Sequence, residues 1–365
     1  MRYLALTIPD NNGKAVFSDT DEGCHIYDQD LYKKCKHMTE LYKNDTTIQT
    51  SYRKMVILSH PFEIIKADVY TSFIKDCPPL KMTNAFMKMW ELLSWIEKNG
   101  YLKLPEDKLD MFDVASAPGM FIIAVDNYLR KNHPGVKLDW KSCSLEGGTA
   151  LTDAYNLFAE NPTRYKPCNV LDGDDIKKCI TKKRYQLVTG DIGIYHEDSY
   201  DRLQEEVQLD LEWGQMVLAL NQCDKGGNMI LKMYSMVTLE TVFLLDTLNK
   251  YFKHVFITKP YCTRLFNDES YIICINRNSK DCSDEPLKRP YISEYSSRNI
   301  ELVKSFENAR LDTKYRMIMF MKRVFEHKFS INKLTVESFK ANEIYKSYCN
   351  EFDELFNIFK HFDFK

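Results

Sequence analysis

What this 365-residue chain lacks narrows its function before any motif is read. It has no run of about 18 apolar residues, so no helix is expected to cross a membrane. Its opening, MRYLALTIPDNNGK, is broken too early by Pro9 and Asp10 to read as a signal peptide. Its eleven cysteines include no CxxC pair and no tight Cys/His group, so neither a metal site nor a disulfide framework is expected. The odd count fits reduced thiols in an intracellular, cytoplasmic protein. Neither sign of charge dominates: 50 Lys+Arg against 52 Asp+Glu leave −2. Any contact with nucleic acid must therefore come from a local basic patch. GxGxxG and the Gly-Lys-Ser/Thr P-loop are also missing, which excludes the common dinucleotide and nucleoside-triphosphate signatures.

A hydrophobic content of 44% is enough for one large domain with additions. Three zones are expected. Residues 1–80 mix short β-like runs (Tyr3–Ile8, Met55–Leu58) with polar turns. Residues 81–277 alternate strand-like runs (Leu109–Val114, Val136–Ser142, Cys168–Leu171, Tyr185–Thr189, Asn228–Met233, His254–Thr258, Tyr271–Ile275) with helical patterns (Phe121–Lys131, Thr149–Glu160, Asp175–Lys182, Tyr200–Gln222, Leu239–Tyr251). Short apolar runs joined by helices predict a doubly wound, largely parallel α/β sheet. The last two runs are joined by a loop, Lys259 to Ser270, so a closing antiparallel strand is expected. The zone at about residues 278–365 opens in the polar NRNSKDCSDEP (276–286) and turns helical. Ligands on such sheets bind at the carboxyl ends of strands.

The first strand runs straight into Ala115-Ser116-Ala117-Pro118-Gly119, small residues that let backbone approach a ligand beside the next helix. In GNMILKMY, Lys232 ends an apolar strand, where a lysine is costly unless paired or functional. YQLVTGDIG carries Asp191 into a glycine-flanked loop, and KPYCTRLFNDESYIICI places Glu269 just before the last strand. NAFMKMWELL is an amphipathic helix carrying Lys88, with Phe86, Met89, Leu92, Leu93 and Ile96 on its packing face.

DVASAPGMF resembles the first motif, D-x-x-x-A-P-G-G-[FW], of the FtsJ/RrmJ-type S-adenosylmethionine-dependent ribose 2′-O-methyltransferases, with Met120 in place of the second glycine. The segment from Lys259 resembles that family's K-P-x-x-[ST]-R-x-x-S-x-E-x-Y, matching at Lys259, Pro260, Thr263, Arg264, Glu269 and Tyr271. Lys88 and Glu91 match its leading helix. The resemblance covers residues 81–277 and implies a Rossmann-like methyltransferase sheet of seven strands, the last antiparallel. It implies a catalytic set of Lys88, Asp191, Lys232 and Glu269, with Lys232 as general base, its pKa depressed by burial and a second cation. For the cofactor S-adenosyl-L-methionine it implies Asp113, Ala115, Ser116, Ala117, Pro118, Gly119, Phe121 and Asp191, with Glu146 for the ribose hydroxyls and Asp174 for the adenine amino group. No resident metal is implied.

The flanking zones should select the RNA. From Lys304 to Lys333 eight basic residues (Lys304, Arg310, Lys314, Arg316, Lys322, Arg323, Lys328, Lys333) face three acids, Glu307, Asp312 and Glu326. On an amphipathic helix such a face could follow an RNA backbone, or be an ordinary solvated face. Phe352, Leu355, Phe356, Phe359, Phe362 and Phe364 are spaced as a core-facing helix. Additions of this size resemble those of cap-specific enzymes of large DNA viruses, which implies a capped mRNA 5′ end as substrate and other capping or transcription proteins as partners. A viral source would place the chain in a viral factory or virion. A ribosomal or transfer RNA ribose methyltransferase, and an idle RNA-binding, polymerase-associated subunit, remain open beside it.

Overall fold

The structure is a computed structural model and describes residues 4–6, 14–16, 28–44, 83–147, 153–193, 204–234, 236, 238–264, 267–282, 285, 286, 288, 290 and 294–326. The run Met55–Leu58 and the aromatic segment from Phe352 lie outside these residues.

One mixed sheet organises the molecule. Its strands are β1 (Leu4–Leu6), β3 (Lys108–Val114), β4 (Lys137–Ser144), β5 (Tyr165–Pro167), β6 (Tyr185–Gly190), β7 (Cys223–Met233), β8 (Phe252–Thr258) and β9 (Ser270–Arg277), in the order β1-β8-β9-β7-β6-β3-β4-β5. Strands β7, β6, β3, β4 and β5 run parallel, and β9 lies antiparallel between β7 and β8. The doubly wound sheet with a closing antiparallel strand is therefore present. A second pairing joins β2 (Lys14–Val16) to β10 (Glu294–Ser296).

Strand pleating sends alternate residues to two cores. Leu109, Met111, Leu187, Ile230 and Ile273 pack with α2 (Asn84–Lys98) and α3 (Met120–Asn132). Phe112, Val114, Val188, Met229, Leu231 and Ile272 pack with α4 (Gly173–Cys179), α5 (Gln204–Gln222) and α6 (Leu239–Tyr251). Val303 and Phe306 of α7 (Ser297–Glu326) join the second core, so this described part of the C-terminal addition is built into the fold. Helix α1 (Gln29–Asn44) lies on α7: Leu31 and Tyr32 pack on Leu311, and Asp28 N donates to Asn308 Oδ1 at 2.7 Å.

Three expectations are corrected. The strand expected at Cys168–Leu171 is instead a buried loop, and the edge strand is the preceding Tyr165–Pro167. Val170 is buried there because its carbonyl lies against Gly214 of α5, where any Cβ would collide with it. The helix expected at Thr149–Glu160 is a series of turns over its described part, 153–160. Asp153 accepts from Phe158 N and Ala159 N, both at 2.9 Å, taking donors a helix would use. The sheet also has an eighth strand: β1, from the N-terminal zone, covers the outer edge of β8 through Leu4↔Ile257, Ala5↔Phe256 and Leu6↔Val255.

Candidate active site

The chain leaves β3 toward β4 and β5 on one side, then returns to β6 and β7 on the other, so the order reverses between β3 and β6. This is where open α/β sheets bind ligands. Val114 and Gly190 end these strands as register partners, and Asp191 N donates to Val114 O at 3.2 Å. Gly190 pairs with Leu231, so the next residues along, Asp191 and Lys232, emerge side by side. Lys232 is opposite Tyr271 of antiparallel β9, which brings Glu269 to the same end of the sheet.

All four expected catalytic residues meet there, as two ion pairs. Lys232 Nζ lies 2.7 Å from Asp191 Oδ1 and donates to Asp191 O at 3.2 Å. Lys88 Nζ reaches across from α2 to both Glu269 oxygens, at 2.7 and 2.9 Å. Tyr271 OH donates to Glu269 Oε1 at 2.8 Å. Burial alone would raise the Glu269 pKa, but the cations of Lys88 and Lys232 outweigh it and bring it to about 2. Lys232 contradicts the expectation of a weakened amine. Burial favours its neutral form, but the carboxylate of Asp191, with Glu269 beyond it, prevails and holds its pKa above the ordinary lysine value.

Other buried polar residues fix these strand ends. Glu91 accepts from Tyr261 N and Cys262 N at 2.8 and 3.0 Å, which explains a glutamate on the buried face of α2. Lys259 Nζ donates to Asn267 O and Glu269 O at 2.6 and 2.7 Å. On α5, Gln215 accepts from Ile192 N at 3.0 Å and donates to Lys232 O at 3.0 Å, while Glu212 accepts from Tyr234 N at 2.9 Å. Gln215, Glu212 and Tyr234 were missed in the sequence. The available signal was two polar residues, three apart, inside the apolar LEWGQMVLAL. Gly193 belongs to the same cluster: a Cβ there would stand 2.6 Å from Tyr234 Oη and 3.2 Å from Lys232 Nζ.

Apart from Asp191, which follows β6, the expected cofactor residues lie in or after β3 and after β4 and β5. In the turn, Ser116 N donates to Cys143 O at 3.0 Å and Ala117 N to Ser144 Oγ at 3.4 Å; Ala115, Ala117 and Pro118 are half-buried. Gly119 has φ 93°, and a Cβ on it would strike Leu157. Met120, in the place of a second glycine, is buried in the core. Phe121 is also in the core, 6.4 Å from the ring of Tyr271, and supports the turn from beneath. Asp113 is fully buried, bonded to Thr189 Oγ1 at 2.5 Å, and burial pushes it up to about 8. Its Oδ2 has no protein partner. Glu146 is exposed just beyond β4. Asp174 is exposed on the first turn of α4, 3.3 Å from Lys177 Nζ, while Asp172 caps that helix. Leu145 and Leu171 are the exposed large hydrophobic residues among those described, and they follow the neighbouring strands β4 and β5. A glycine turn, an unpartnered buried carboxyl oxygen, exposed acids and two exposed leucines at adjacent strand ends fit a ligand with a charged amino acid part, a ribose and a flat apolar ring.

Two expectations about other residues change. Arg310 and Lys314 do not belong to an outward basic face. Arg310 is 1% exposed, bound to Glu307 and Asp268, and Lys314 Nζ is 2.9 Å from Asp268 Oδ1. Lys304 and Arg316 are exposed; the side chains of Arg323, Lys328 and Lys333 lie outside the described ones. The cysteines are not all scattered in space either: the sulfurs of Cys143, Cys168 and Cys179 lie within 4.8 Å of one another. Among the described residues these three donors are one short of structural zinc's four, and the thiol of Cys179 donates to Pro167 O at 3.7 Å.

A family model, FtsJ-like methyltransferase, matches residues 82–277, more than half of the chain. The chain is 32% identical over 219 residues to "Probable methyltransferase EP424R" of African swine fever virus (strain Badajoz 1971 Vero-adapted), a match covering 54% of this chain and 49% of that protein. It is 29% identical over 224 residues to "Cap-specific mRNA (nucleoside-2'-O-)-methyltransferase 2" of Drosophila melanogaster, covering 56% of this chain and 31% of that one. The chain thus spans about half or less of the length of these curated relatives. Among solved structures, a putative ribosomal RNA methyltransferase of Plasmodium falciparum aligns at 16% identity with a TM-score of 0.36, over 53% of this chain and 97% of that one. The strand order, the site at the switch point and the family match lead to one conclusion: the chain belongs to the FtsJ-like methyltransferase family, whose cofactor is S-adenosylmethionine.

Proposed function

We propose that this chain is an RNA ribose 2′-O-methyltransferase acting on the mRNA 5′ cap, with formation of cap 1. The observation that carries the reading is the pair of lysine–carboxylate contacts, Lys232–Asp191 and Lys88–Glu269, at strand ends beside the Ala115–Gly119 turn. The choice of the cap is supported by the relative named as a cap-specific mRNA methyltransferase.

S-adenosylmethionine supplies an electrophilic methyl group on a positively charged sulfur. A ribose 2′-hydroxyl is a weak nucleophile near neutral pH and needs an in-line approach and a group to receive its proton. Lys232 is that group once its amine is neutral. While protonated it donates to Asp191, and it then serves to hold and orient the hydroxyl oxygen. A further positive charge beside Lys232, together with loss of water from the site, moves its pKa downward and releases the base. Glu269 stays ionised throughout, fixing Lys88 and limiting the net positive charge around the reacting oxygen. The exposed Lys304 and Arg316 of α7 are suited to phosphate contacts, and the thiols suit an intracellular site of action.

Labelled methyl transfer to short capped and uncapped RNAs tests the reading. Capped RNA should be labelled on the ribose next to the cap and uncapped RNA should not. Equal labelling of both, or preference for ribosomal or transfer RNA, removes the cap assignment; cofactor binding with no labelling of any RNA indicates an idle RNA-binding subunit. Lys232→Ala should lower transfer about 100- to 10,000-fold with cofactor affinity nearly unchanged. Substantial activity in that variant would exclude Lys232 as the base.

A further inference from the structure

Helix α7 touches both chain segments that carry the catalytic pairs. Glu307 is fully buried and divides its two oxygens: Oε1 accepts from Met236 N at 3.0 Å, four residues beyond Lys232. Oε2 accepts from Arg310 Nε at 2.8 Å and lies 2.7 Å from Arg310 Nη2. Arg310 is equally buried, and its Nη1 pairs with Asp268, the residue immediately before Glu269. Lys314, one turn along α7, adds a second contact to Asp268 at 2.9 Å. On the core side, Lys259 holds the carbonyls of Asn267 and Glu269. The Glu269 loop is thus gripped from two directions, by β8's exit and by α7, and the exit of β7 is gripped by the same α7 pair.

A buried ion pair is a poor means of adding stability, because desolvating both charges offsets most of their attraction and apolar residues of equal volume do as well. What such a pair adds is direction: it holds named atoms at fixed positions. Here those atoms flank Lys232 and Glu269. A displacement of about 1 Å in such groups can cost about 100-fold in rate.

We infer that the buried Glu307–Arg310 pair of α7 is a positioning device for methyl transfer, locking the exit of β7 to the start of β9 so that the Lys232–Asp191 and Lys88–Glu269 pairs stand in register. Helix α7 is then part of the catalytic apparatus. This rests on the function proposed above.

The test uses the full chain with Arg310→Met and Glu307→Gln, and with Glu301→Ala, an exposed residue of the same helix, as control. Both buried variants should lower kcat about 10- to 100-fold. The KM for S-adenosylmethionine should stay within about twofold, because the expected cofactor residues other than Asp191 cluster around the ends of β3, β4 and β5, and the Glu307–Arg310 pair contacts none of them. Amide hydrogen exchange should speed up at residues 234–236 and 267–270 and stay unchanged at 115–120. Glu301→Ala should match the parent throughout. A folded Arg310→Met protein with parental kcat and parental exchange overturns the inference. So does a loss spread evenly over kcat, KM and exchange in every segment, which would mark a general support of the fold. If Arg310→Met does not fold, Glu307→Gln, which keeps its volume and an oxygen for Met236 N, decides by the same two readouts. If the parent transfers no methyl group to any RNA, the proposed function fails and the catalytic part of this inference fails with it; the exchange comparison then decides only whether the pair holds the two segments in place.

Discussion

Lys232 stands 2.7 Å from Asp191, and that contact sets how the rate should depend on pH. A lysine whose pKa is raised is neutral in a smaller fraction of molecules near pH 7, so activity should climb through the alkaline range. Replacing Asp191 by Asn removes the charge that raises Lys232 and leaves burial to lower it. The inflection in log kcat should therefore move to lower pH, while the maximal rate falls about 10-fold or more through lost positioning. A pH profile of the variant from about pH 6 to about pH 10 measures both; an unmoved inflection would remove Asp191 as the controlling charge. That the four candidate catalytic residues meet at one end of the sheet was legible because each follows or precedes a recognisable strand or helix. The protonation of Lys232 was not, because it depends on which carboxylate lies within hydrogen-bond reach. The sequence alone would allow Lys88 to be the nearest charge to Lys232, and the fold instead assigns Lys88 to Glu269.

Elements with strong apolar runs were readable. Strands β6, β8 and β9 and helix α6 lie close to their expected bounds because they are largely buried and rich in Val, Ile, Leu, Phe and Tyr. The region from Thr149 to Leu171 was not, because burial there arises without regular structure: Asp153 takes over helix donors, and Val170 packs its backbone on Gly214. Helix α2 shows how a second element completes the site. Its Glu91 satisfies two buried amides of the loop that follows β8. Glu91→Ala should destabilise the protein by about 2–5 kcal/mol, since each orphaned amide costs about 1–3 kcal/mol. Glu91→Gln, which keeps an acceptor, should cost less. Denaturant unfolding of the two variants checks the order; equal stability of Ala and Gln would mean that the loop finds other partners.

Across the molecule, buried carboxyls give stability a characteristic pH dependence. Burial raises Glu91 from 4.5 to about 7, Glu212 from 4.5 to about 8, and Asp113 from 3.8 to about 8. Each favours the protonated form in the fold, so its contribution is complete below the ordinary pKa and is lost as pH rises through the raised one. Lys259 is lowered to about 7, by burial and by Arg310, and its opposing contribution starts only above that pH. Glu269, at about 2, loses its contribution only in acid. The melting temperature should fall between about pH 5 and about pH 7, and Asp113→Asn should flatten the slope. A melting temperature that rises over this interval would contradict the assignment of these groups.

The pairing of β1 with β8, of β2 with β10 and of α1 with α7 has a temporal consequence. The amide of Asp28 bonds a residue 280 positions later, and β2 finds its partner only at β10. A ribosome adding about 5–20 residues per second needs about 15–60 s to cover that interval. Throughout it, the edge of β1, β2 and the buried face of α1 emerge without their partners, while the intervening sheet is still being translated. These three segments can therefore dock only after the elements that receive them, β8, β10 and α7, have been made.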